Sequence, residues 1–232
     1  MTTEVSPTPV HVGFIMDGNR RWAKAHGLPA YEGHMAGYNA FKEVVEECFE
    51  QGIKYITFYA FSTENWKRDA KEVSYLMKVL VMAVNKELKR SIEKGIRIRF
   101  LGRRDVVAAN VLKAMQKAED ATKDLTAGNL SICLDYGGQQ EIADSVRNCL
   151  AAGLTAEQIT PDAITQHLYY PEVPPIDLIV RSSGEQRISN FMLWRAAYSE
   201  FLFLQKPWPE MTKDDVAAII EVYGQRSRRF GG

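Results

Sequence analysis

Several features that would place a chain of this length in a familiar class are missing. Only three of its 232 residues are cysteines (Cys48, Cys133 and Cys149). They are odd in number, form no C-x-x-C, and each sits in an apolar pattern. That excludes a disulfide scaffold or zinc ribbon and reads as reduced, structural thiols of a cytosolic protein. The four histidines, His11, His26, His34 and His167, show no metal-ligand spacing. There is no G-x-x-x-x-G-K-[ST] phosphate loop. No apolar run is long enough for a membrane-spanning helix. The first ten residues, MTTEVSPTPV, lack the basic and apolar regions of a secretory signal and read as a flexible tail before one domain over 11–232. Acidic and basic residues balance at 29 each, so no global field draws nucleic acid, and any anion site must be local. No Cys–His or Ser–His pair follows a strand, which leaves covalent catalysis without a nucleophile.

What is present is an alternation. Apolar runs at Val12–Met16, Tyr55–Phe61, Ile96–Leu101, Leu130–Leu134 and Ile176–Val180 read as strands buried on both faces. Between them lie helical stripes. One runs through Phe41, Val44, Val45, Cys48 and Phe49, with Gly52 placed to end it. A longer one carries Val73, Leu76, Met77, Leu80, Val81, Val84 and Leu88. Others cover Val106–Ala121 and Glu141 to about Leu150. Residues 152–175 read as a surface excursion, with Pro161 opening a short helix. Phe201–Leu204 suits a short edge strand, and Thr212–Ser227 a closing helix capped by Thr212. The pattern predicts an α/β fold: a single domain with a mainly parallel central sheet flanked by helices.

In such a sheet, ligands bind beyond the carboxyl ends of the strands. Four polar clusters follow strands here: Asp17 to Trp22, Ser62 to Arg68, Asp135 to Gly138, and Arg181 to Asn190. Together they supply Arg20, Arg21, Arg68, Arg181 and Arg187, with His34, Asn65, Ser62 and Ser189. So many guanidiniums at one edge call for more than one anionic ligand. Asp17, repelled by phosphate, makes sense as a ligand to a bridging cation such as Mg²⁺. The bland alternative for Asp17-Gly18-Asn19 is an ordinary strand-to-helix turn.

These residues carry a resemblance. HVGFIMDGNRRWA, the GH-x-x-G of Gly33 to Gly37, FSTENWKR, YGG-x-x-EI from Tyr136, and RSSGEQRISNFMLW with Glu200 and a terminal RRFGG occur in order over nearly the whole chain. The sequence resembles the cis-prenyltransferases, the undecaprenyl diphosphate synthase family, which extend an allylic diphosphate with isopentenyl diphosphate. The resemblance implies catalytic roles for Asp17 and Asn65, and Mg²⁺ held by Asp17 and by Glu200 from near a dimer partner. It implies an allylic diphosphate cradle of Gly18, Asn19, Arg20, Arg21, His34 and Arg68. Arg181, Arg187 and Ser189 would hold isopentenyl diphosphate. Ser62 would stand beside Asn65, with Trp22 and Trp66 flanking the allylic chain. Thr63, Glu64 and Ile188 come with these motifs as substrate-binding positions. A homodimer is implied through residues 198–204 and the last helix, as is product delivery to a membrane surface.

A growing prenyl tail needs a dry tunnel, because each buried five-carbon unit is worth on the order of 4 kcal/mol at ~0.8 kcal/mol per carbon. The Val73–Leu88 stripe and the Tyr55–Phe61 strand are apolar enough to line one, though both suit plain core equally. Within the resemblance, Ala60 is small where short-chain members often carry bulk, so the expected product is of medium to long chain. Ala30 stands where the family often has arginine, and Arg20, where many relatives have glycine, is expected to compensate. Asp135 and Arg195 replace the commoner Asn and Gln.

Overall fold

The computed structural model describes residues 8–226. The expected tail over 1–10 therefore lies mostly outside the described residues, and the RRFGG end wholly so. Where the tail can be followed it is tied down: the Val10 amide donates to Asp177 Oδ2 at 2.8 Å.

Six strands form one parallel sheet: β1 (His11–Ile15), β2 (Tyr55–Ser62), β3 (Ile96–Leu101), β4 (Gly128–Tyr136), β5 (Leu178–Arg181) and β6 (Glu200–Phe203), in the order β3-β4-β2-β1-β5-β6. The near-continuous apolar strands are buried on both faces, as a sheet covered by helices requires. Alternation along each strand divides the core in two. Val12, Phe14, Ile56 and Phe58 meet α2 (Ala30–Glu50), α3 (Ala70–Glu93), α4 (Ala109–Thr122) and α7 (Lys213–Gly224). Ile15, Cys133, Tyr136 and Ile179 meet Phe191, Met192 and Ala196 on the other face. Gly13 points to that second face, where a Cβ would lie 2.8 Å from the Phe191 ring.

Two features were not separable in the sequence. A short helix α1 (Asn19–Ala25) follows the first strand at once, and α2 begins at Ala30, well before its apolar stripe. The glycines of GH-x-x-G allow the two helices to pack. A Cβ at Gly33 would lie 2.1 Å from the Asn19 carbonyl oxygen, and one at Gly37 2.2 Å from Asn19 Oδ1. The 152–175 excursion contains α6 (Pro161–Gln166), with Pro161 in its first turn and Thr160 capping it, after α5 (Gly138–Ala151). Arg195 accounts for how this segment is held. Its guanidinium, 2% exposed, pairs with Glu141 at 2.7 Å and donates to the carbonyls of Val173, Tyr169 and Tyr170. All three cysteines are free and buried, as expected.

The connection from β1 leads to β2 on one side, while the connection from β5 leads to β6 on the other. The crevice for a ligand in a parallel sheet lies at such a reversal, here between the ends of β1 and β5. Ile15 pairs with Arg181 across it.

Candidate active site

Asp17 sits at that reversal. Its amide donates to the Ile15 carbonyl and to Ser182 Oγ, and the Ser182 hydroxyl donates back to the Asp17 carbonyl at 2.8 Å. Gly18 then turns the chain at φ 102°, and a Cβ there would meet Ser183 Oγ at 2.7 Å. Glycine is the residue that tolerates this backbone. The Asp17 carboxylate receives Arg181 Nη2 at 2.9 Å and faces Arg21 Nη2 at 3.3 Å. Partial burial would raise its pKa, but the hydrogen bonds from Arg181 and Gly18 and the charge of Arg21 outweigh it and hold the acid below the usual range. Arg181 is itself buried, donating to Ser189 Oγ at 2.8 Å and to the Arg187 carbonyl, with its Nε lacking any acceptor. Arg187 and Arg21 both pair with Glu185.

A second group of cations gathers on the opposite wall around Glu72, with Arg68 at 3.1 Å, His34 at 3.6 Å and Arg20 at 3.7 Å. Burial lowers the His34 pKa, and Arg68 and Arg20 add to this against the opposing pull of Glu72. The imidazole is therefore mainly neutral at pH 7. Its Nε2 and the nearby Asn19 Oδ1 are buried without hydrogen-bond partners. A polar cleft is lined by Asp17 to Arg21, Lys24, Ala30, His34 and Arg68, and so takes in members of both groups, though not Arg181, Arg187 or Ser189. The first amides of α1 have no intrahelical acceptor and suit an anion. Five guanidiniums thus share three carboxylates. Glu72 and Glu185 were missed in the sequence, although each is close in the chain to an arginine it pairs with: Glu72 four residues after Arg68, and Glu185 two before Arg187. Lys24 was missed as well.

At the end of β2, Ser62 and Asn65 cap the short turn Thr63–Lys67, with the Ser62 amide donating to Asn65 Oδ1 at 3.1 Å. Trp66 packs edge-on to Phe61 and donates Nε1–H to Asp135 Oδ1 at 2.7 Å. Arg103 stands 3.6 Å from the other Asp135 oxygen, so the unusual acid is tied to an indole and a cation. Thr63, Glu64 and Trp66 line a separate polar pocket with Asp135 and Asn190. Ile188 packs on the second core cluster, and Trp22 stacks near His26 with ring centroids 4.3 Å apart. Neither Trp22 nor Trp66 is among the residues lining the apolar cavity described next; the indole found there is Trp208.

That cavity lies beside the cleft, is partly open to solvent, and is lined mainly by apolar side chains. Leu76, Met77, Leu80 and Val84 of α3 form one wall, and Phe58, Ala60 and Phe61 of β2 another. The α3 stripe serves core and cavity at once. Met16, Asn19 and His34 line both the cavity and the polar cleft, so the two spaces adjoin.

Glu200 lies elsewhere. It pairs with Leu178, which pairs with Val12, so it is level with the start of β1, five residues before Asp17. At ~3.3 Å per residue that is roughly 17 Å along the strand direction. It binds Arg226 at 2.9 Å. One chain therefore does not bring Asp17 and Glu200 to a common ion. Among the described residues no three His, Cys, Asp or Glu side chains converge as a metal set. Asp17 alone still fits Mg²⁺, which is commonly held by one or two carboxylates together with substrate phosphates.

An α/β fold with a cationic cleft adjoining an apolar cavity suits a ligand with an anionic head and a hydrocarbon tail. Comparison with known proteins narrows it. A family model described as "Putative undecaprenyl diphosphate synthase" matches residues 15–231. An isoprenyl transferase of Thermotoga maritima is 45% identical, covering 97% of each chain. A trans,polycis-polyprenyl diphosphate synthase specific for (2Z,6E)-farnesyl diphosphate, from Thermobifida fusca, is 42% identical over 97% of this chain and 81% of its own. Among solved structures, lavandulyl diphosphate synthase from Lavandula x intermedia, in complex with dimethylallyl diphosphate, superposes with a TM-score of 0.92 at 30% identity, covering 97% of this chain and 99% of that one. The chain belongs to the undecaprenyl diphosphate synthase family of cis-prenyltransferases, and it is a prenyl transferase.

Proposed function

We propose that the protein condenses isopentenyl diphosphate with an allylic diphosphate, geranyl or farnesyl, to give a Z-polyprenyl diphosphate of medium to long chain, such as undecaprenyl diphosphate for a lipid carrier. The observation that carries this reading is the shared boundary of cleft and cavity at Met16, Asn19 and His34. A ligand seated there has a charged head among cations and a hydrocarbon tail in a dry space.

The allylic diphosphate lies against the α1 amides, Arg20, Arg21, His34 and Arg68, and it displaces Glu72 as their partner. Isopentenyl diphosphate takes Arg181, Arg187 and Ser189. When bound through Asp17, Mg²⁺ would neutralise charge developing on the departing diphosphate. The guanidiniums stabilise that same charge in a site fixed before reaction. The apolar walls keep water from the allylic carbon as its C–O bond breaks and the isopentenyl double bond attacks. The proton released goes to the Ser62–Asn65 turn. Glu200 would join the ion from a second copy of the chain, in a homodimer. Among the described residues no helix is long and apolar enough to cross a membrane. The product would pass from the protein to a bilayer.

A short-chain or branching synthase of the same family is the second reading, favoured by the close superposition on lavandulyl diphosphate synthase. The small Ala60 on the cavity wall, and the run of that wall along α3 from Leu76 to Ser91, support elongation instead. A non-catalytic partner subunit has little to recommend it while Asp17, Asn65 and the arginines are all present. The test is incubation with Mg²⁺, isopentenyl diphosphate and either geranyl or farnesyl diphosphate, reading product length by mass spectrometry. Asp17→Ala is expected to lower turnover by on the order of 10²–10³, the cost of losing one transition-state electrostatic contact. Equal rates for parent and variant would overturn the reading.

A further inference from the structure

Away from Asn19 and His34, where it meets the cleft, the cavity is lined by apolar side chains apart from a polar group at Tyr38, Glu87 and Ser91. There the Tyr38 hydroxyl of α2 donates to Glu87 Oε1 of α3 at 2.5 Å, and both residues line the space. Tyr38 is buried, 9% exposed, and Glu87 is half-buried. Glu87 belongs to a junction as well as a wall. Together with Phe41, Ser91 and Leu130 it also lines a smaller pocket of about 380 Å³, which continues outward past Val45 and Ile96 to Lys42, Glu46, Arg90 and Lys94. From Leu76 to Ser91 the cavity follows α3 for fifteen residues, roughly 22 Å at ~1.5 Å per residue.

We propose that the Tyr38–Glu87 hydrogen bond is a latch between cavity and outer pocket, and that it sets the length at which the prenyl tail stops growing. The inference rests on the function proposed above and adds the residues that limit the product. A hydrocarbon tail moving down the cavity gains by burying each new unit until it reaches the latch. To go further it must part a charge-assisted hydrogen bond and bring hydrocarbon against a carboxylate and a hydroxyl. Elongation past that point loses its driving force, and release competes. An apolar side chain at the same place would block only by its volume. The latch blocks by volume and by polarity together.

Three variants separate these effects. Tyr38→Phe keeps the ring and deletes the hydrogen bond, Glu87→Gln keeps the shape and removes the charge, and Tyr38→Ala opens the passage. Each is first compared with the parent by circular dichroism and thermal melting. Product lengths are then read by mass spectrometry after incubation with farnesyl diphosphate, excess isopentenyl diphosphate and Mg²⁺. The expected result is a shift of the main product by at least one five-carbon unit in Tyr38→Ala. A smaller shift or a broadening toward longer chains is expected in Tyr38→Phe and Glu87→Gln. An unchanged distribution in all three folded variants overturns the latch while leaving the prenyl transfer reading intact. Lengthening in Tyr38→Ala alone also overturns it, by assigning the stop to ring volume. If the parent incorporates no isopentenyl diphosphate, the functional reading fails and the latch fails with it.

Discussion

His11 opens the first strand, yet its environment belongs to the fold's interior. The ring is fully buried, with Nδ1 donating to the Pro174 carbonyl and Nε2 meeting Thr57 Oγ1 at 2.8 Å. Burial lowers its pKa from 6.5 to about 4. An unfolded chain takes up this proton below its ordinary pKa, while the folded chain refuses it until about pH 4. Stability is therefore lost as pH falls through that window, by ~3 kcal/mol in all. Urea midpoints at pH 7 and pH 4.5 should fall further for the parent than for His11→Asn, and equal drops would contradict the assignment. Arg20 is a second case. It lines the cleft with Ala30 and stands 3.7 Å from Glu72, with most of its surface exposed. A guanidinium so placed can turn to the allylic diphosphate in place of the arginine that Ala30 lacks. Arg20→Gly should raise the allylic KM about tenfold, the worth of one charge-assisted contact, with kcat little changed. An unaltered KM would remove Arg20 from the cradle.

At the scale of elements, the site depends on how α3 lies over β2. Ala60 and Phe61 of the strand face Leu76, Met77 and Leu80 of the helix across the cavity, and Ala60 is the small member. Ala60→Leu puts a branched side chain into that space, so products should shorten by one or more five-carbon units while the diphosphate contacts remain. An unchanged length by mass spectrometry would show that the tail takes another path. Arg195, paired with the buried Glu141, also donates to carbonyls of the 152–175 excursion and so helps to join it to the second face of the sheet. Sequence periodicity could place neither partner, because a buried pair of this kind is created by two segments that meet only after folding.

At the scale of the whole molecule, the proposed sharing of one ion by Asp17 and Glu200 needs a second copy, because a single chain holds the two residues apart. β6 is an edge strand, and just before it Tyr198 is 75% exposed, a surface that suits a symmetric partner. If each site takes Asp17 from one chain and Glu200 from the other, a mixture of Asp17→Ala and Glu200→Ala chains holds one intact site per mixed dimer. Co-refolding the two inactive variants should restore roughly a quarter of parental activity, given random pairing in a two-fold dimer. No recovery would place both residues' roles within a single chain.

The sequence by itself determined the class of fold and the polar clusters at the strand ends. Parallel strands buried on both faces must be apolar throughout, and ligand residues must follow them, so both are written in local order. The five arginines, Asp17, Asn65 and Ser189 were legible on that ground as polar residues that follow strands, and with them the order of strand and helix. The short helix at Asn19, the ion pairs with Glu72 and Glu185, and the place of Arg195 were not, since each depends on contacts between distant segments. Tertiary structure alone decided that the α3 stripe, which has the same periodicity whether it meets core or hollow, borders a cavity. Helix spacing is set by side chains from three elements at once, and no single stretch of sequence encodes the space left between them.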